Sequence, residues 1–103
     1  MTNIKEYYGY YLTLHKDLNC RRLHFIGQLV TIAYVTLCVL GSLLWTPFFI
    51  AAFLFAPFVV YPFAWAGHFL FEKNQPAAFT NPIKAKICDW IMFYDIIRGR
   101  VKI

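Results

Sequence analysis

Residues 23–71 read LHFIGQLVTIAYVTLCVLGSLLWTPFFIAAFLFAPFVVYPFAWAGHFLF, and this run of 49 residues contains no Asp, Glu, Lys or Arg. An apolar run becomes a transmembrane candidate at about 18 residues, and one helix needs about 20 to cross the hydrocarbon layer. The run is therefore long enough for two crossings. Pro47 lacks a backbone donor and suits the first turn of a new helix, so the break falls at Thr46 and Pro47. We predict a helical hairpin whose turn carries Trp45 at the level of the lipid headgroups.

Two histidines occupy symmetrical positions about this turn. His24 lies 22 positions before Thr46, and His68 lies 22 positions after it. Because both helices of a hairpin rise about 1.5 Å per residue, positions equidistant from the turn return to the same depth. We therefore expect the two imidazoles to meet near the charged end of the hairpin.

The composition is that of a small membrane protein. The chain has 103 residues, of which 60% are hydrophobic and only 15% are charged. This length leaves no room for a second core, and the shortage of charge argues against a soluble domain. The net charge is +5, but every Lys and Arg lies outside the apolar run. We interpret these residues as contacts to anionic lipid headgroups, and we expect no nucleic-acid partner.

The helical segments form a single membrane domain, residues 1–103. The first span is predicted over residues 23–45, with Asn19 as its N-cap, and the second over residues 47–71. Pro57 and Pro62 interrupt the second span, and a kink there could open a groove toward the lipid. The predicted fold class is an all-α integral membrane protein, a two-span helical hairpin flanked by N- and C-terminal amphipathic interfacial helices.

The two flanking helices are predicted over residues 4–15 and 82–98. In the first, apolar and aromatic residues recur at helical spacing at Ile4, Tyr8, Tyr11 and His15. The second follows the cap at Asn81 and stops at Gly99. Its apolar face comprises Ile83, Ile87, Trp90, Ile91, Tyr94 and Ile97. We expect both helices to lie in the membrane interface.

The distribution of basic residues predicts the topology. Four precede the hairpin (Lys5, Lys16, Arg21 and Arg22) and six follow it (Lys73, Lys84, Lys86, Arg98, Arg100 and Lys102), whereas the turn has none. Loops rich in Lys and Arg stay on the cytoplasmic side. Both termini are therefore expected in the cytoplasm, at either a bacterial inner membrane or the endoplasmic reticulum. Small residues in the spans, Gly27, Gly41 and Ala64, favour close helix packing and a homo-oligomer.

All the histidines are predicted at the cytoplasmic mouth of the hairpin, together with one acidic residue. The candidate metal ligands are His15, His24, His68 and Glu72, the last one helical turn after His68. Imidazole with carboxylate suits iron, zinc or manganese, and two histidines with one carboxylate are typical of oxygen-activating ferrous iron. Cys20 is an alternative soft ligand, and Asp89 could orient a ligand histidine or simply be solvated. Taken singly, each histidine could equally be a polar residue at the membrane edge.

Two stretches resemble the signatures of the Mpo1-like family. They are Tyr11-x-x-x-His15-x-x-x-Asn19-x-x-x-x-His24-x-x-Gly27 and Gly67-His68-x-x-x-Glu72-x-x-x-Pro76-Ala77. The resemblance implies an iron(II)-dependent dioxygenase that shortens 2-hydroxy fatty acids by one carbon in α-oxidation. It implies that the histidines of the motifs hold or adjoin the metal and that Glu72 is a ligand or a base, and it makes Glu72 and Asn19 the candidate catalytic residues. The larger eukaryotic members have a longer middle region and a further histidine, which this chain lacks.

Three functions remain open from the sequence. In the dioxygenase interpretation, Arg21 or Arg22 pairs with the substrate carboxylate while the acyl tail stays in the bilayer. In the second interpretation, two histidines at one depth ligate a haem for electron transfer. In the third, the chain is a non-catalytic membrane assembly protein whose histidines only pack or face headgroups.

Overall fold

The computed structural model describes residues 3–103, and this part of the chain is helical without strands. The main helices are α1 (Ile4–Thr13), α2 (Leu18–Leu44), α3 (Phe49–Ala52), α4 (Tyr61–Gly67) and α5 (Pro82–Ile97). Short 3₁₀ segments cover Phe53–Phe58 and Ala77–Phe79, and a π-helical segment covers His68–Glu72. The hairpin predicted from the apolar run is confirmed, with α2 as its first arm and residues 49–72 as its second.

Helix α2 begins at Leu18, five residues before the predicted start of the first span. Its N-cap is Asp17 and not Asn19, because the Asp17 carboxylate accepts hydrogen bonds from the backbone amides of Asn19 and Cys20 at 2.7 and 3.3 Å. A carboxylate also suits the positive end of a helix better than an amide does. At 27 residues α2 is about 40 Å long, more than the hydrocarbon layer requires.

The second arm is interrupted where its prolines lie. A 3₁₀ segment surrounds Pro57, and Pro62 stands in the first turn of α4. The side-chain amine of Lys86, on α5, donates to the carbonyl of Pro57. The predicted interruption by proline is thus confirmed, and one carbonyl at the kink has a side-chain partner.

Glycines allow the two arms to approach closely. A Cβ atom on Gly27 would lie 2.9 Å from Val60 Cγ2, and one on Gly41 would lie 2.7 Å from the Phe49 ring. Both predicted close approaches are confirmed, and they occur within one chain. Ala64 is also buried inside the hairpin. The homo-oligomer stays a prediction.

The outer surface of the hairpin is apolar. Near its tip, Leu43, Leu44, Trp45 and Phe48 are each more than three-quarters exposed. Both arms are long and apolar enough to cross a membrane. In the most apolar 18-residue stretch of each arm, only 28% of the first arm and 11% of the second are buried. The core helix of a soluble protein would be mostly covered by its own chain, whereas both arms leave most of their apolar residues uncovered.

Helices α1 and α5 pack against each other around a small core that contains Tyr7, Tyr11, Cys88 and Met92. Helix α1 ends at Thr13 and α5 ends at Ile97, close to the predicted ends. The predicted apolar face of α5 points away from the protein, and residues such as Ile83 and Ile97 are exposed. The buried face carries Ala85, Cys88, Asp89 and Met92 instead. That these helices lie in the membrane interface stays a prediction.

Candidate metal centre

Three imidazoles from distant parts of the chain meet at the base of the hairpin. His15 lies in the turn between α1 and α2, His24 lies in the second turn of α2, and His68 opens the π-helical segment. The ring centroid of His15 lies 4.5 Å from that of His24 and 4.5 Å from that of His68. The centroids of His24 and His68 are 5.2 Å apart. All three rings are buried and meet edge to face. The expected meeting of His24 and His68 is confirmed.

Each of these rings has its Nδ1 atom held by an oxygen. His15 Nδ1 lies 2.7 Å from the carbonyl of Tyr11, and His24 Nδ1 lies 3.2 Å from the Asp89 carboxylate. His68 Nδ1 lies 2.7 Å from Oδ1 of Asn74. Carbonyl and carboxylate oxygens only accept hydrogen bonds, so Nδ1 carries the proton in the neutral ring.

The Nε2 atoms are therefore the lone-pair donors of the three neutral rings. Nε2 of His15 and Nε2 of His24 are buried and have no hydrogen-bond partner within residues 3–103. One ligand atom from each histidine and the Cys20 sulphur lie within 4.8 Å of one another. A buried, unpaired nitrogen is costly in a protein interior, and a metal ion at the centre of the group would satisfy these atoms. The residues fit a metal.

The electrostatics keep His15 neutral. Burial lowers its pKa well below the ordinary value of 6.5, and the adjacent His24 and His68 rings lower it further. A metal needs the unprotonated ring, so the buried environment leaves the nitrogen available for binding near neutral pH.

Asp89 contacts the cluster where the sequence interpretation placed it. Its carboxylate is buried on α5, and Oδ1 accepts a hydrogen bond from Nδ1 of His24 across 65 positions of sequence. A carboxylate on the far nitrogen of a metal-ligating histidine is a recurrent arrangement in metal sites, because it fixes the ring and raises its basicity. That Asp89 has this role stays a prediction.

Glu72 and Asn19 lie elsewhere. One Glu72 carboxylate oxygen accepts a hydrogen bond from the backbone amide of Asp17, and Glu72 is not in the group of ligand atoms found within residues 3–103. Asn19 is exposed on the first turn of α2, and its side chain accepts from Arg22. The structure does not bring either residue to the three imidazoles, and their ligand and catalytic roles stay predictions.

The two arginines hold the end of the chain and the turn before α2. Arg21 donates to the carbonyl of His15 at 2.5 Å and to that of Lys102 at 3.2 Å. Arg22 donates to the carbonyl of Ile103. Neither lines the cavity beside the histidines. Their predicted pairing with a substrate carboxylate is therefore not supported by the positions of their side chains.

Two residues that the sequence interpretation missed belong to the surroundings of the cluster. Asn74 orients His68, and its amide nitrogen donates to the carbonyl of Leu14, one residue before His15. Lys86 lines a cavity of about 20 Å³ together with the histidines and Asp89. Asn74 stands six residues after His68, a separation that does not place two residues on one face of an α-helix, so the sequence did not predict their contact. Lys86 was interpreted only as one of the basic residues that predict the membrane topology.

A family model described as 2-hydroxy-palmitic acid dioxygenase Mpo1-like matches residues 1–101, nearly the whole chain. The match confirms the resemblance drawn from the two histidine motifs. Comparison with curated proteins and comparison with solved structures gave no match.

Proposed function

The chain belongs to the Mpo1-like family, and from this membership and the histidine cluster we propose that it is an iron(II)-dependent dioxygenase of 2-hydroxy fatty acids. The observation that carries the proposal is the convergence of three buried imidazoles, each with Nδ1 hydrogen-bonded to an oxygen, and with Nε2 of His15 and His24 unpaired. His15, His24 and His68 would hold the ion. Cys20 is the further candidate ligand, because its thiol lies in the same group.

A ferrous ion held by these residues would supply redox chemistry and would attract the carboxylate and hydroxyl oxygens of a 2-hydroxy acid. The reaction balances with oxygen alone: a 2-hydroxy acid and molecular oxygen give the acid shorter by one carbon, carbon dioxide and water. No further reductant is required. Zinc and manganese are the alternative metals, and the thiol of Cys20 favours zinc more than a purely oxygen and nitrogen site would.

The residues of the chain prepare this site in three ways. Tyr11, Asp89 and Asn74 fix the orientation of the imidazoles through their Nδ1 atoms. Tyr11 also stacks on His15, with ring centroids 4.0 Å apart. All three rings are buried away from bulk water, and burial lowers the pKa of His15 well below its ordinary value. Such a preorganised set of donors is a requirement for metal-assisted catalysis.

We place the protein in a membrane, with the two arms as spans and both termini cytoplasmic. The exposed apolar surface of the hairpin supports the spans, and the basic residues at its base support the orientation. The histidines then lie at the cytoplasmic mouth, where the head of a fatty acid is available while its tail stays in the bilayer.

The arrangement favours a single ion over haem. Three imidazoles and a thiol converge on one small volume, and the adjoining cavity of about 20 Å³ is far too small for a porphyrin. The absorption spectrum of the purified protein tests this point, because a strong Soret band would support the haem interpretation.

The test of the proposed function is turnover. Protein loaded anaerobically with ferrous iron is given oxygen and 2-hydroxypalmitate, and the chain-shortened acid and oxygen consumption are measured together. We expect both signals in the natural protein and neither in His24→Ala or His68→Ala. Gly9→Ala is the control, because a Cβ atom on Gly9 meets nothing within 4 Å. Folded, iron-loaded protein that consumes no oxygen would refute the proposal for this substrate.

A further inference from the structure

Lys86 stands where two cavities adjoin. The first is the cavity of about 20 Å³ beside the three histidines, to which we give the name histidine cavity. The second, the proline groove, has a volume of about 280 Å³ and is lined by Thr31, Val35, Ala56, Pro57, Lys86 and Trp90. Apart from Thr31 and Lys86, the groove is apolar, and it runs along the arms of the hairpin. Lys86 is therefore the residue that lines both the histidine cavity and the apolar proline groove.

The direct contacts of the Lys86 ammonium group are with neutral groups. It donates to the Pro57 carbonyl and lies 4.6 Å from the centroid of the Tyr61 ring. Within residues 3–103 no carboxylate oxygen lies within 4 Å of Lys86. The side chain is half-buried, and its burial lowers its pKa, whereas the charge of the Asp89 carboxylate, farther away, raises it. A partly desolvated cation without a carboxylate in direct contact favours an anionic ligand.

We infer that Lys86 binds the carboxylate of a single-chain fatty acid, with the acyl tail in the proline groove and the carbon next to the carboxylate at the histidine cavity. The inference rests on the proposed function for the reacting end of that ligand. Charge complementarity fixes the head, and the apolar lining from Val35 to Trp90 fixes the direction of the tail.

The size of the histidine cavity selects against other lipids. A volume of about 20 Å³ accommodates roughly one water molecule, so only one or two heavy atoms of a ligand could enter the histidine cavity beyond Lys86. A phosphodiester or a sugar headgroup would not fit without movement of the helices. A long-chain alcohol would fit but lacks the charge that Lys86 recognises. Lys86 would therefore favour a lipid with a free carboxylate over one with an uncharged or bulky head.

The test measures binding without metal and without oxygen. In a variant whose only tryptophan is Trp90, made by Trp45→Phe and Trp65→Phe, fluorescence reports on the proline groove. The probes are a fatty acid and a fatty alcohol of equal length, each with a nitroxide quencher on the tail, added at a fixed micelle concentration. The acid should quench Trp90 saturably. Lys86→Met should weaken its affinity about tenfold or more, whereas the weaker affinity for the alcohol should not change.

Three further variants keep the result interpretable. Lys86→Arg retains the charge and should bind the acid within a few-fold of the parent. Lys86→Gln is a second neutral variant, in case Lys86→Met does not fold. Lys84→Met changes a lysine of the same helix that lines neither cavity, and should leave the affinity for the acid unchanged. The inference would be overturned if Lys86→Met and Lys86→Gln bound the acid as tightly as the parent does. It would also be overturned if the acid did not quench Trp90 in the parent.

The outcome is separable from that of the proposed function. If the acid binds through Lys86 but the iron-loaded protein does not consume it, the carboxylate site stands and the dioxygenase proposal fails. If Lys86→Met turns over 2-hydroxypalmitate with unchanged KM, the dioxygenase stands and the carboxylate site fails.

Discussion

Nδ1 of His68 lies 2.7 Å from Oδ1 of Asn74, and Nδ2 of the same Asn74 donates to the carbonyl of Leu14 at 3.1 Å. One amide therefore connects the second arm of the hairpin to the turn that carries His15. Because the Leu14 carbonyl can only accept, the amide nitrogen of Asn74 must face it, and the oxygen must face His68. This contact fixes the tautomer of His68 and holds His68 close to the turn that carries His15.

Asn74→Ala tests that connection. It removes the acceptor of His68 and the link to Leu14, so the imidazole can rotate and lose its alignment. We expect metal affinity to fall by about 10- to 100-fold, as for other partners of metal-ligating histidines. A competition titration against a chelator measures it. Gln75→Ala is the matched control, because this neighbouring amide is exposed. Equal affinity in both variants would contradict the role of Asn74.

Asp89→Ala tests the carboxylate on His24. The variant leaves the Nδ1 proton of a buried ring without its acceptor, and we again expect a loss of about 10- to 100-fold in metal affinity. Asp95→Asn gives the contrast, because this carboxylate accepts a hydrogen bond from Tyr8 at 2.7 Å and does not contact the cluster. It should lower thermal stability, by about 1 kcal/mol, and leave metal affinity unchanged. If Asp89→Ala lowers thermal stability but leaves metal affinity unchanged, Asp89 has only a structural role.

Gly67→Ala tests the packing that positions His68. A Cβ atom there would lie 3.0 Å from Cys20 Sγ and 3.1 Å from the Cys20 backbone, so α4 would have to move away from α2. We expect a loss of about 1–3 kcal/mol in stability and weaker metal binding, because the shift occurs one residue before a ligand. Thermal unfolding in detergent measures the first quantity. Gly9→Ala meets no neighbour and should not destabilise the protein.

Lys73→Gly tests the strained end of the π-helical segment. Lys73 has a φ of 60°, and its amide donates to the carbonyl of His68. Glycine adopts this left-handed conformation without steric cost. We expect the variant to be more stable by up to about 1 kcal/mol in the same unfolding assay. A clear loss of stability would mean that contacts of the lysine side chain outweigh the backbone strain.

The sequence was sufficient to predict the hairpin and the meeting of His24 and His68. Both depend on simple geometry: a charge-free run of two span lengths, a proline at its centre, and equal rise along two antiparallel helices. The close approaches at Gly27 and Gly41 were predicted from the small size of these residues within the spans.

The position of Glu72 could not be predicted in the same way. Its alignment with His68 assumed α-helical spacing, but His68–Glu72 is π-helical. There the hydrogen bonds run between residues five apart and each turn holds more residues, so Glu72 is rotated about the helix axis from the position that α-helical spacing gives it. The carboxylate contacts the Asp17 amide instead.

Lys86 was missed because the basic residues of α5 were interpreted only as topology signals. The sequence predicts the apolar face of α5, and the structure leaves that face exposed. The opposite face, which carries Asp89, lies against the site. Which of its polar residues meet the histidines depends on the packing of α5 against α1 and α2, and the sequence does not determine that packing.

The most direct test of the metal centre is X-ray absorption fine structure at the iron edge of anaerobically loaded protein at neutral pH. We predict one iron ion per chain. Its nearest ligand atoms should be mainly nitrogen, with the multiple-scattering signature of three imidazoles. His24→Ala should lower that imidazole count or abolish loading. A folded protein that binds no iron, or an ion whose shell contains at most one imidazole, would contradict the account.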